Sequence, residues 1–68
     1  MRLDELEVCY KYDCGTQHKT VESTWGKFDV WLNSDGVTYN IFSLEDDRKW
    51  LYLDAVSAQC VLFELTKK

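Results

Sequence analysis

Residues 27–41 read KFDVWLNSDGVTYNI, and apolar and polar side chains alternate on both sides of the central NSDG segment. Successive side chains of a β-strand point to opposite faces, so this period of two is typical of strands with one face on a core. The four turn-forming residues 33–36 predict a hairpin built on a type I turn, with Gly36 in the left-handed conformation. Strands are therefore predicted at 27–32 and 37–44.

Similar patterns extend this prediction in both directions along the chain. Further strands are predicted at 6–13, 19–25, 49–54 and 60–66. Leu3 and Leu6 form either one helical turn or the lead into the first strand, and Asp54 is placed to cap a short helical or 3₁₀ turn. Five or six short strands favour an all-β, mostly antiparallel fold, either a small SH3-like, Sm-like or OB-like barrel or a strongly twisted sheet.

The chain is short, rich in apolar side chains and acidic. Its 68 residues are expected to form one small β domain, 1–68, and its 46% of hydrophobic residues argues against disorder. The net charge of −4 disfavours nucleic acid as a partner, because that binding depends largely on Lys and Arg contacts to phosphates. The same charge favours a protein partner with a basic surface.

The sequence contains no pattern typical of membrane insertion or secretion. It has no run of about 18 apolar residues, and its N-terminal MRLDELE is acidic, without an apolar segment. Its three cysteines cannot all pair within one chain, and a reducing compartment would keep them as thiols. We therefore expect a cytoplasmic protein that has no membrane partner.

Residues with metal-binding or catalytic chemistry form no clear motif. Cys9, Cys14, His18 and Cys60 are four potential zinc ligands, but tight Cys-x2-Cys spacing is missing, so packing as small apolar side chains is favoured for the thiols. Cys14 and His18 have no obvious orienting third group for nucleophilic catalysis. With no phosphate loop or nucleophile elbow either, we expect no enzymatic activity, no metal and no cofactor.

The aromatic residues are the stronger functional signal. Alternation within 27–32 turns Trp31 and Asp29 away from the core, and alternation within 49–54 does the same for Trp50 and Tyr52. Exposed Trp and Tyr dominate binding hot spots, unless the N-terminal segment or a second copy of the chain covers them. The predicted partner-binding residues are three aromatic anchors and a carboxylate rim: Trp31, Trp50, Tyr52, Asp29, Glu45, Asp46 and Asp47.

Three functions are compatible with this pattern. In size and charge the chain resembles stand-alone inhibitor and adaptor proteins, including those encoded by phages and mobile elements. The favoured hypothesis is a protein-interaction module that docks on a larger basic, nucleic-acid-handling protein. One alternative is a small barrel that binds RNA or single-stranded DNA through Arg48, Lys49, Trp50 and Tyr52. The other is a homo-oligomer, such as a dimer, held together by edge strands and buried aromatics.

Overall fold

In this computed structural model, which describes residues 1–45 and 47–67, the chain folds into five strands and one α-helix. The strands are β1 Val8–Lys11, β2 Gln17–Ser23, β3 Gly26–Leu32, β4 Tyr39–Ser43 and β5 Lys49–Leu53. A 3₁₀ turn at Leu3–Glu5 precedes them, and the helix α1, Ala55–Leu65, follows. The strands form one antiparallel sheet in the order β1-β2-β3-β4-β5. The mostly β, antiparallel fold is confirmed, and the first five predicted strands match within two residues at each end.

The β3–β4 loop has the predicted turn chemistry. Gly36 adopts a φ of +75°, and its N–H donates to the Asn33 carbonyl at 3.0 Å. The Asp35 carboxylate accepts the N–H groups of Val37 and Thr38, both at 2.9 Å, and the Thr38 hydroxyl at 2.8 Å. These donors, led by the Thr38 N–H, favour the ionised carboxylate and lower the pKa of Asp35.

We expect Asp35→Ala to reduce stability at neutral pH more than in strong acid. Because folding lowers the pKa of Asp35 below its ordinary 3.8, the ionised carboxylate stabilises the fold above that pH, and this contribution is lost as the pH falls through the lowered value. The measurement is the difference in Tm between wild type and variant at about pH 7 and about pH 2. A difference that does not shrink in acid contradicts the assignment, and Asp13→Ala in an exposed loop is the control.

Residues 55–65 form α1, so the predicted sixth strand at 60–66 is wrong. Asp54 does cap a helical segment as predicted, with its carboxylate accepting the Ser57 N–H at 2.7 Å, but the segment continues for 11 residues. The buried side chains Ala58, Leu62 and Leu65 are spaced four and three residues apart, as one face of a helix requires. Within the described residues, no helix is long and apolar enough to cross a membrane.

The barrel prediction is also wrong, because α1 provides the second layer. The sheet stays open, and β1 and β5 are its two edges among the described strands. The core lies between α1, the N-terminal turn and one face of the sheet. Its buried apolar side chains are Leu3, Leu6, Val21, Phe28, Val30, Ile41, Ala58, Leu62 and Leu65. The other side of the sheet, which we call the outer face, is not covered by α1.

Each edge strand contains one extra residue, and each irregularity changes which side chains face outward. In β1 the register shifts between Val8, opposite Lys19, and Tyr10, opposite His18. Tyr10 therefore lies on the outer face, whereas a regular strand would keep it on the same face as Val8. Short, bulged edge strands also resist pairing with other chains, so the edges are protected without barrel closure.

The bulge in β5 overturns the predicted orientation of Trp50. Trp50 pairs with Ile41 and Leu53 pairs with Tyr39. Two residues of β5, Leu51 and Tyr52, therefore lie opposite the single residue Asn40 of β4. The extra residue is accommodated at Tyr52, which has a φ of +57°. Trp50 and Leu53 consequently pack against the core, whereas Leu51 is exposed.

Candidate functional site

Four ring side chains gather on the outer face, where β1, β2 and β3 lie side by side. His18 and Trp31 are directly opposite each other in the β2–β3 register, and Tyr10 is opposite His18 in the β1–β2 register. Tyr12 follows β1 and reaches Trp31. We call this cluster of Tyr10, Tyr12, His18 and Trp31 the aromatic face.

The rings of the aromatic face contact one another in sequence. The His18 and Trp31 rings are stacked, with centroids 4.3 Å apart and planes at 16°. Tyr12 lies with its ring centroid 5.9 Å from that of Trp31, and Tyr10 meets Tyr12 edge-on at 4.6 Å. Tyr10 and Tyr12 remain 59% and 41% exposed. The result is a continuous, pre-ordered apolar surface with polar ring atoms, which is the composition typical of protein-binding hot spots.

Asp29 holds the histidine of this cluster in place. Nε2 of His18 lies 2.9 Å from Oδ1 of Asp29, and both side chains are largely buried, at 23% and 15% exposure. An ionised carboxylate only accepts hydrogen bonds, so Nε2 carries the proton and donates it to Asp29. The predicted outward position of Asp29 is confirmed. Its carboxylate is engaged with His18, however, and therefore acts first as a positioning group for the stacked rings.

Tyr52 adds a strained, strongly exposed residue at the same end of the sheet as Trp31, two strands away. Its side chain is 77% exposed, although its backbone is in the left-handed region that costs a non-glycine residue about 1–2 kcal/mol. Its N–H donates to the Asn40 side chain at 2.9 Å, and Asn40 is opposite Trp31 in the β3–β4 register. Strain held at an exposed aromatic residue is typical of functional positions. The predicted exposure of Tyr52 is thus confirmed.

Trp50 does not belong to this surface, which corrects its predicted outward orientation. Its ring packs on the core side of the sheet, with its centroid 5.9 Å from that of the fully buried Phe28. Two of the three predicted anchors, Trp31 and the exposed Tyr52, are therefore at the same end of the sheet, and the third packs on the core side.

Two carboxylates of the predicted rim, Glu45 and Asp47, lie away from the aromatic face. Glu45 and Asp47 are exposed in the β4–β5 loop, where the Glu45 carboxylate lies against Gly26 at the start of β3. Trp31 is five residues further along β3, a distance of about 17 Å in an extended strand. Asp46 lies outside the described residues. Among the rim residues that the structure describes, only Asp29 is next to the rings.

The predicted nucleic-acid platform is not assembled either. Arg48 lies over the Trp25 ring, 5.1 Å from its centroid, and Trp50 points to the core. Lys49 is opposite Phe42 at the other end of the strand from Tyr52. The four platform residues therefore do not share one exposed face. The aromatic ring under the Arg48 guanidinium is that of Trp25, which is not one of the predicted site residues.

The potential zinc ligands are separated. Cys60 is on α1, whereas Cys9 and His18 belong to neighbouring strands of the sheet. Residues 1–45 and 47–67 contain no group of three or more side chains placed to hold a metal ion. All three thiols are exposed and unpaired with each other, which corrects the expectation that they pack as buried apolar side chains.

Cys14 is the thiol with a shifted acidity, but it has no base beside it. Its Sγ lies 3.3 Å from the Thr16 hydroxyl, and that hydroxyl together with the Thr16 backbone N–H lowers the pKa of the Cys14 thiol. His18 is engaged with Asp29 and Trp31 instead. The described residues thus show no Cys–His pair of the kind nucleophilic catalysis requires.

Comparison of the chain with protein-family models, with curated proteins and with solved structures finds no match in any of the three.

Proposed function

We propose that this chain is a non-enzymatic protein-interaction module, an inhibitor or adaptor of the phage or mobile-element type. It docks through the aromatic face and Tyr52 on a larger basic, nucleic-acid-handling protein. The observation that supports this most is the set of four contacting rings on the side of the sheet that α1 leaves uncovered. Pre-ordered rings lose little side-chain entropy when a partner covers them, so they suit a contact surface.

Charge next to the aromatic face supports a basic partner. Asp13, Asp35 and Asp54 are exposed in three connections at this end of the sheet. The β1–β2 and β3–β4 loops approach each other where Gly15 meets Ser34. Backbone N–H groups lower the pKa of Asp35 and of Asp54, so both remain ionised at neutral pH. These carboxylates can form ion pairs with the Lys and Arg side chains that a nucleic-acid-handling protein uses to bind phosphates.

The test compares two tryptophans at opposite ends of the sheet, the partly buried Trp31 and the exposed Trp25. Wild type, Trp31→Ala and Trp25→Ala are immobilised through the C-terminus and used to capture partners from an extract of cells that express the chain. We expect a basic protein that is retained by wild type and by Trp25→Ala and is lost from Trp31→Ala, because a central aromatic anchor contributes about 2 kcal/mol or more. Retention should fall as salt rises from about 0.1 to 0.5 M.

Three outcomes count against the proposal. Equal retention by both tryptophan variants removes the aromatic face as the contact surface. Binding of a labelled RNA or single-stranded DNA oligonucleotide at micromolar concentration and physiological salt favours the nucleic-acid alternative. A dimer detected by light scattering that dissociates on Trp31→Ala assigns the aromatic face to a second copy of the chain.

A further inference from the structure

A groove on the helix side of the molecule has a buried cation at its base. It lies between the N-terminal segment and α1 and has a volume of about 540 Å³, within the range of sites for small molecules. We call it the Lys19 groove. Its lining comes from the N-terminal turn, from Lys19 and Tyr39 of the sheet, and from one side of α1. The aromatic face is on the other side of the sheet, so the two surfaces are independent.

Lys19 is the residue of this groove that favours an anionic ligand. Its side chain lies on the core side of β2, opposite Val30, and is only 7% exposed. Among the described residues, the hydrogen bond of the Lys19 Nζ is the one that it donates to the Leu3 carbonyl, at 3.3 Å. An ammonium group has three donors, and burying its charge is costly without an opposite charge. No described carboxylate lies within 4.0 Å of the Lys19 Nζ. The carboxylate of Asp4, which also lines the groove, pairs with Arg2.

The walls of the groove are apolar and partly open to solvent. Val56 and Phe63 line it from α1 and are 74% and 53% exposed, which leaves apolar surface in water beside the buried cation. Gln59 fixes the width of the groove by bonding the N-terminal segment twice. Its Oε1 accepts the Leu3 N–H at 2.8 Å, and its Nε2 donates to the Met1 carbonyl at 2.7 Å.

We propose that the Lys19 groove binds a small amphiphilic carboxylate, a molecule with one carboxylate head and one apolar chain. The carboxylate head of the ligand pairs with the Lys19 ammonium, and the apolar tail of the ligand covers Val56 and Phe63. The site supplies both parts of this recognition: a charge without a counter-charge and an apolar wall without a cover. The chain's net charge of −4 disfavours an anion where no cation is at hand, so the binding is directed to this groove.

Decanoate below its micelle concentration is the probe, and amide chemical shifts of the wild-type chain are the readout. We expect saturable shifts at the N-terminal segment, at Lys19 and at α1, and none at the aromatic face. Decanol, which has the same chain without charge, should bind at least about tenfold more weakly, since hydrogen bonds between charged groups are worth more than neutral ones. Decyltrimethylammonium should not bind in the groove.

Two variants of the protein, each with a control, show where the carboxylate head and the apolar tail of the ligand bind. Lys19→Met keeps the aliphatic stem and should weaken decanoate at least about tenfold without affecting decanol, whereas Lys27→Met on the outer face should change neither. Val56→Asp places a repelling charge at an exposed position, so the fold is retained and decanoate binding falls. Val37→Asp is its control, because Val37 is also exposed, at 62% against 74% for Val56, but lies in the β3–β4 loop.

The proposal is overturned if decanoate produces no shifts at about 1 mM, or if decanoate and decanol bind equally. Binding that survives both Lys19→Met and Val56→Asp also overturns it. Shifts in the groove from a peptide with a free apolar C-terminus, with none from decanoate, assign the groove to a protein end instead of a small molecule.

Discussion

Replacing Leu62 with aspartate is expected to unfold the chain, whereas the same change at the adjacent Phe63 should leave it folded. Leu62 is fully buried and Phe63 is 53% exposed. Loss of a buried Leu side chain costs about 2–5 kcal/mol before the penalty of burying a carboxylate is added. A single core of this size rarely supplies more than about 3–5 kcal/mol of stability. The change at Phe63 should cost about 1 kcal/mol or less.

This pair of variants distinguishes the helix from the strand predicted at 60–66. In that strand Phe63 would face the core with Val61 and Leu65, and Leu62 would face solvent. Circular dichroism and urea unfolding of both variants measure the outcome. A folded Leu62→Asp protein beside an unfolded Phe63→Asp protein would refute α1 and its packing on the sheet.

Trp50→Ala and Tyr52→Gly are expected to shift stability in opposite directions. Trp50 packs against the core beside Phe28, so its truncation should lower the free energy of unfolding by about 2–4 kcal/mol. Tyr52 is exposed and has a φ of +57°. Glycine adopts that backbone conformation without strain, so Tyr52→Gly should leave stability unchanged or raise it by up to about 1 kcal/mol.

Urea unfolding followed by circular dichroism measures both changes. Tyr52→Gly should also weaken capture of the basic partner, which would show that the strain at this position serves binding and not folding. The β5 bulge is wrong if Trp50→Ala and Tyr52→Gly are both neutral or both strongly destabilising, since a regular β5 would place these two side chains on the same face of the sheet.

The hairpin at the centre of the sheet was predictable because local chemistry determines it. Residues 27–41 combine strict alternation with an Asn-x-Asp-Gly loop whose hydrogen bonds are formed within the loop itself. The helix was not predictable in the same way. Val61, Phe63 and Leu65 fit one face of a strand, whereas Leu62 and Leu65 fit one face of a helix. Over so short a run the choice depends on the apolar sheet surface that α1 covers.

The candidate site was predictable only where the strands are regular. Trp31 and Asp29 lie on β3, which has no bulge, and both point outward as expected. Tyr10 and Trp50 lie on the bulged edge strands, where one extra residue reverses the side that each ring faces. No residue type in the sequence marks either bulge, since neither contains a glycine. The buried position of Lys19 likewise depends on the N-terminal segment that covers it.

The most direct test of the central claim is a contact footprint of the captured basic partner on the isotopically labelled chain. Amide chemical shifts and hydrogen exchange are recorded with and without that partner. The aromatic face predicts changes at residues 10–18, 29–31 and 52, with α1 and the loop after β4 unaffected. Changes confined to α1 or to residues 44–48, with Tyr10, His18 and Trp31 unaltered, would contradict the account.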